Sequence, residues 1–209
     1  MKKIKSTLSI LTIMAGFSLG NLFAEEVAPK EPAPVLPNTQ KLPFSVYSDQ
    51  GDHFIPSGWM GDAGDLTLND HFKTNPGQGA KCIQIKYSGK AAGGQKWSGV
   101  YWQEPANNWG AMKGAGFNLS GAKKIKFMAR GEKGGEVVEF KAGGIASGDF
   151  PDTFKVEAPI TTLTKEWKEY EIDLSGQDLT HVIGGFCFAL NKEKNPDGAT
   201  FYLDNIRYE

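Results

Sequence analysis

The sequence predicts an all-β fold, an antiparallel β-sandwich or jelly roll, and three observations lead there. From Phe44 onward, short segments alternate apolar and polar residues or run apolar over four to eight positions. Clusters of Gly, Pro, Asn, Asp and Ser separate them. No segment keeps apolar residues at three- and four-residue spacing, so long helices are not expected.

Taken in order, MKKIK and the apolar run STLSILTIMAGFSLGNLF, ending at Ala24, have the basic start, greasy middle and small final residue of a secretory signal peptide, residues 1–24. Ser, Thr and Gly interrupt the run and no stop-transfer flank follows, so stable membrane insertion is not expected. The expected location is outside the cytoplasm: the periplasm, the cell surface or the medium. Residues 25–43 hold five of the eleven prolines, Pro29, Pro32, Pro34, Pro37 and Pro43, and read as a Pro-rich linker of extended geometry. Residues 44–209 then suit one domain with a full hydrophobic core.

Within that domain, IQIKY, GVYW, KIKFMA, EVVEFKA, YEIDL, FCFAL and TFYLDNIRY read as strands. FNLSGAKKIKFMA and IDLSGQDLTHVIGGFCFAL each place a Leu-Ser-Gly turn before a new strand, as two similar corners of one sandwich would. In the last segment Phe201 and Leu203 share a face while Ile206 falls out of step, so an extra residue is expected at Asp204 and Asn205, a β-bulge. The same alternation puts Cys82 and Cys187 opposite the apolar positions, off the core, which disfavours a disulfide.

Charge and motifs exclude several functions. The net charge of −1 becomes more acidic once Lys2, Lys3 and Lys5 leave with the signal, which argues against nucleic acid or an anionic membrane as partner. His53, His71 and His181 lie far apart, and neither an HExxH, a Gly-x-Ser-x-Gly elbow nor a phosphate loop is present. Glu132, Glu136 and Glu139 are the densest carboxylates, but a Gly-Gly turn and strand alternation aim them apart, which is wrong for a shared acid-base site. No catalytic residue is assigned. The acidic loop GDFPDT, residues 148–153, reads as a solvated turn or as the lip of a groove.

One stretch stands out: WSGVYWQEPANNWG, residues 97–110. As a strand it gives Val100 and Trp102 to the core and turns Trp97, Tyr101 and Gln103 to the other face, followed by a loop with Asn107, Asn108 and Trp109. Flat aromatic rings cover the apolar C–H faces of sugars, and amides make paired hydrogen bonds to neighbouring hydroxyls. Those six residues, Trp97, Tyr101, Gln103, Asn107, Asn108 and Trp109, are therefore the candidate carbohydrate-binding set. The alternative is that the tryptophans plug an open end of the sandwich, since Trp is highly buried on average. Trp167 reads as structural, and Trp59 is undecided in a glycine-rich loop.

VYSDQ, WSGVYWQ, NNWG, FNLSGAKKIKFMARG, LTKEWKEYEIDLSG, GGFCFAL and the closing FYLDNIRYE, taken together, resemble the galactose-binding-like jelly rolls of bacterial carbohydrate-binding modules, the family-eleven type among them. The resemblance implies a non-catalytic domain that grips a polysaccharide or other glycan. It also implies a structural calcium between the first strand and the last, with Asp204 and Asp49 as ligands and Asp52 as a weaker third. The alternatives are a cell-envelope structural domain that docks a protein partner, and a lyase or hydrolase with an unrecognised site.

Overall fold

The computed structural model describes residues 38–209; the expected signal peptide and most of the linker lie outside the described residues. Twelve strands and one 3-10 turn, Ala63–Asp65, are found among them. The strands are β1 (Phe44–Tyr47), β2 (Ile55–Gly61), β3 (Leu66–Phe72), β4 (Cys82–Tyr87), β5 (Trp97–Gln103) and β6 (Lys124–Gly131). After them come β7 (Val137–Gly143), β8 (Lys155–Glu157), β9 (Thr161–Thr162), β10 (Lys168–Asp173), β11 (Gly184–Asn191) and β12 (Ala199–Tyr208).

They form two antiparallel sheets, as expected. The first runs β10-β6-β12-β4-β3 with β1 also on β12, and the second runs β2-β5-β11-β7-β8 with β9 also on β7. The alternation that predicted the strands decides what lies between the sheets. Ile83, Ile85, Phe127 and Phe201 of the first sheet meet Val100, Trp102, Phe140, Phe186 and Phe188 of the second, all fully buried. Rings pack edge-on or tilted across this layer, with Phe127 and Phe140 centroids 4.7 Å apart and Phe188 and Phe201 5.2 Å apart. Buried Tyr208 also crosses it, donating its hydroxyl to the Gly185 carbonyl at 2.8 Å.

The bulge falls where the alternation broke. Register between β12 and β6 shifts after Asp204, and Asn205 takes φ 45°. The bulge divides one edge of β12: β4 pairs with residues 199–203, and β1 takes over from Ile206. Both Leu-Ser-Gly corners are present, with Leu119 and Leu174 buried and Gly121 and Gly176 at φ 103° and 78°, a backbone that glycine adopts without strain.

Three features differ from the sequence-based expectation. IPSGWMG is a strand, β2, and not a loop; its Pro56 is tolerated because β2 is the edge of its sheet. LTLNDHF forms the edge strand β3 of the other sheet. Packing begins before Phe44, since Thr39 bridges to Asn118 and Leu42 rests on the core.

The cysteines do lie on the non-core faces, in different sheets and free, but both are buried. Cys187 sits between its cross-strand neighbours Tyr101 and Lys141, whose side chains cover it. Burial pushes the Cys82 thiol up to about 11 and the Cys187 thiol higher still.

Candidate functional site

The solvent face of the second sheet carries the aromatic residues that the sequence singled out. On β5, Val100 and Trp102 face the core, so Trp97, Gly99 and Tyr101 face outward. Trp97 is 36% exposed and sits opposite Asn191 of β11. It borders a depression of about 270 Å³ lined also by Glu139, Lys141, Ala189, Leu190 and Asn191. Ala189 keeps its floor low, and the cross-strand neighbour Gly99 extends that low surface beside it. A Cβ at Gly99 would come within 2.6 Å of the Phe188 carbonyl oxygen and 3.2 Å of the Met60 methyl, so no larger residue fits.

Tyr101 stands four residues along the strand from Trp97, about 13 Å at ~3.3 Å per residue. Its hydroxyl donates to the Gly143 carbonyl at 3.0 Å, and burial holds the phenol well above its ordinary pKa, so it is a neutral donor. Trp109, 38% exposed, meets it edge to face with centroids 6.0 Å apart. Three rings thus border one open face.

The amides divide. Asn107 is exposed at φ 61°, its N–H donating to Ser57 Oγ at 2.9 Å. Gln103 is fully buried: its Nε2 donates to the Asn108 carbonyl at 2.9 Å and its Oε1 accepts from Ser57 Oγ at 2.9 Å. Asn108, 1% exposed, donates to the Glu104 carbonyl and accepts from Gly110 N. Gln103 and Asn108 therefore shape the turn that presents Trp109 and offer no amide to a ligand.

Charged residues on the same face were not among the sequence-based candidates, although alternation in VVEFKAG already turns Glu139 and Lys141 outward. Lys141 lies 3.2 Å from Glu139 and 3.7 Å from Glu157, and Lys155 lies 3.0 Å from Glu157. Burial alone would lower the Lys141 ammonium, but the two carboxylates outweigh it and hold it above its usual value. Lys155, followed by Lys141, holds Glu157 below the usual carboxylate range. The face is polar but balanced in charge.

The three glutamates tested for acid-base work occupy separate places. Glu132 accepts the Tyr202 hydroxyl on the first sheet. Glu136 is buried in the β6–β7 connection, accepting Lys133 N at 2.9 Å, and Glu139 pairs with Lys141 on the second sheet.

Asp49 and Asp204 do converge, on a different depression of about 490 Å³ lined also by Ser48, Gln78, Asn205 and Arg207. Asp204 sits at the bulge, where β4 gives way to β1. One carboxylate oxygen accepts Gly77 N and Gln78 N, each at 2.9 Å, and the other accepts Asn205 N at 2.7 Å. Asp49 accepts Ala80 N, and Asp52 accepts Ser48 N. Burial raises the Asp204 carboxyl above its ordinary value, with Asp49 adding to the shift. Among the described residues no group of three or more His, Cys, Asp and Glu is arranged to hold a metal ion. The two aspartates tie loop 77–80 into the gap between β1 and β4.

Asp152, in the loop read as a solvated turn, does similar work. It accepts Ile183 N and Gly184 N on one oxygen, at 2.7 and 3.0 Å, and Ile145 N on the other at 2.9 Å.

No family model and no curated protein sequence matches the chain. Solved structures do. A family 30 carbohydrate-binding module matches at 16% identity and TM-score 0.54, over 81% of this chain and 99% of the module. The family 30 module of a cellulosomal cellulase of Clostridium thermocellum matches at 16% identity and TM-score 0.52, over 81% of this chain and 98% of that one. A family 11 module from Clostridium thermocellum, in complex with a β-1,3-1,4-mixed-linked tetrasaccharide, matches at 15% identity and TM-score 0.51, over 79% and 94%. At these identities the likeness is one of fold, and the chain has the β-sandwich fold seen in carbohydrate-binding modules of families 30 and 11.

Proposed function

We propose that this chain is an exported, non-catalytic carbohydrate-binding module that holds a polysaccharide along the solvent face of the second sheet. The observation that carries the proposal is the exposure of Trp97 and Trp109, with Tyr101 between them, on a face floored by Gly99 and Ala189. A buried ring contributes packing; an exposed one on an open polar trough offers a stacking surface for a pyranose. Asn191, Glu139 and Lys141 supply hydrogen-bond partners for its hydroxyls. Both lysines of the face are ion-paired, which favours a neutral glycan over an anionic one. The shared fold of the family 11 module, whose structure contains a tetrasaccharide, adds support.

A glycan array probed with the intact chain tests this. Retention of a neutral polysaccharide is expected; a blank array overturns the proposal, and release of shortened products would make the protein an enzyme instead. One observation favours a second reading, docking of a cell-envelope protein: Ile55 and Trp59, on edge strand β2, are 49% and 41% exposed. Capture of one stoichiometric protein beside a blank array would decide for it. No helix among the described residues is long and apolar enough to cross a membrane.

We also propose calcium at the Asp49 and Asp204 depression. Support comes from two converging carboxylates with the Gln78 and Asn205 side chains beside them. The N–H donors already on both carboxylates oppose it. Chelation is expected to lower the melting temperature of the intact chain, and Asp204→Asn to remove that sensitivity. Identical melting curves with and without chelator would refute it.

A further inference from the structure

His181 stands in a position that a neutral imidazole satisfies only by half. Its Nδ1 lies 2.7 Å from the Pro151 carbonyl oxygen and its Nε2 lies 2.9 Å from the Ala115 carbonyl oxygen. Carbonyl oxygens only accept, and a neutral imidazole has one N–H to donate. Filling both bonds therefore takes the doubly protonated ring. The backbone beside the ring is tied to loop 145–153: Thr153 N donates to the His181 carbonyl at 3.0 Å, and His181 N donates to Thr153 Oγ1 at 3.1 Å.

The two carbonyls belong to different loops. Ala115 lies in loop 104–116, which carries Trp109, and Pro151 lies in loop 145–153. Nearer the aromatic face the same loops touch again, where Ser147 Oγ donates to the Trp109 carbonyl at 2.8 Å and Phe150 N donates to the Gly110 carbonyl at 2.8 Å. His181 fastens the far end of that seam. Each packed segment carries an acidic residue. Asp152 attracts the charged ring from loop 145–153. Glu104 holds Gly116 N, next to Ala115. Asp178 precedes His181 on its own connection, its carbonyl accepting Thr153 Oγ1. Lys113 lies exposed on the Ala115 loop.

We propose that His181, doubly protonated, is a positioning residue that staples the Trp109 loop to loop 145–153 and makes ligand retention at the aromatic face pH-dependent. The effect on retention rests on the carbohydrate reading above; the staple itself does not. The closed seam holds a second proton on the ring and the released seam does not, so acid favours closure. Loss of one ring proton withdraws one of the two hydrogen bonds.

Nitrogen-15 spectra of the imidazoles in the intact chain at pH 5 test the staple. Protons on both ring nitrogens of His181, slowed in their exchange with solvent by the two carbonyls, are expected, and a bare lone pair or a freely exchanging proton on either nitrogen overturns the proposal. The second arm follows retention of an array-selected glycan from pH 5 to 8, for the wild type and His181→Gln. The wild type should weaken by about two- to tenfold as pH rises, the value of one hydrogen bond. The variant should stay flat at the weaker level, and equal slopes in both proteins would overturn the pH claim. If nothing is retained at any pH, the carbohydrate reading fails while the imidazole spectra still decide the staple.

Discussion

Trp102→Ala should cost about 3–5 kcal/mol of folding stability, the range for deleting a large buried aromatic side chain. For a domain of this size that lowers the melting temperature by on the order of 10 °C. The reason is its place in the core: 1% exposed, with ring centroids 5.8 Å from Phe186 and 5.9 Å from Phe188. Thermal unfolding followed by circular dichroism reads the loss directly. An unshifted curve would mean that the inward face of β5 is misassigned, and the outward assignment of Trp97 would fall with it.

Trp97→Ala and Trp109→Ala should behave in the opposite way. Each ring is more than one-third exposed and neither belongs to the core cluster, so melting should stay close to wild type. Retention in affinity electrophoresis should weaken by at least about tenfold for each, as expected when an aromatic anchor of a binding face is removed. The pair of results matters more than either alone. Weakened retention with collapsed stability would say only that the protein had unfolded. Loss of retention without loss of stability separates a docking surface from a packing element, and Trp102 on the same strand is the internal control.

The fold was legible because alternation is a local signal. IQIKY, KIKFMA and FCFAL carry their inward and outward faces in adjacent residues, and the misstep at Asp204 and Asn205 placed the bulge without any partner strand. The edge strand β2 was not legible, because Pro56, Gly58 and Gly61 carry turn chemistry that only its edge position makes compatible with a strand.

The candidate site was half legible. Outward placement of Trp97 and Tyr101 followed from the period of β5, and the exposed Asn107 and Trp109 from a loop rich in turn formers. Gln103 shares that outward register, yet it is buried because the turn after Pro105 folds back over it and supplies the Asn108 carbonyl. Such a return contact is tertiary. The same holds for Asp62, Asp65 and Asp152, which look like solvated turn residues in sequence. Asp62 accepts Gln95 N and Lys96 N, and Asp65 accepts Ser88 Oγ and Ala91 N. Their partners lie 23 to 34 residues away, beyond the reach of any local pattern. Glu139 and Lys141 join the face through the pairing of β7 with β11, which alternation within β7 does not specify.

The proposed place of the glycan is the outer face of the second sheet. Chemical-shift mapping of the intact chain, titrated with a soluble oligosaccharide of the array-selected glycan, tests it most directly. The indole signals of Trp97 and Trp109 are expected to move first, together with amides of β5, β7 and β11 around Gly99, Lys141 and Ala189. Shifts centred instead on the Asp49 and Asp204 depression, or on edge strand β2 around Trp59, with both indoles unmoved, would contradict it.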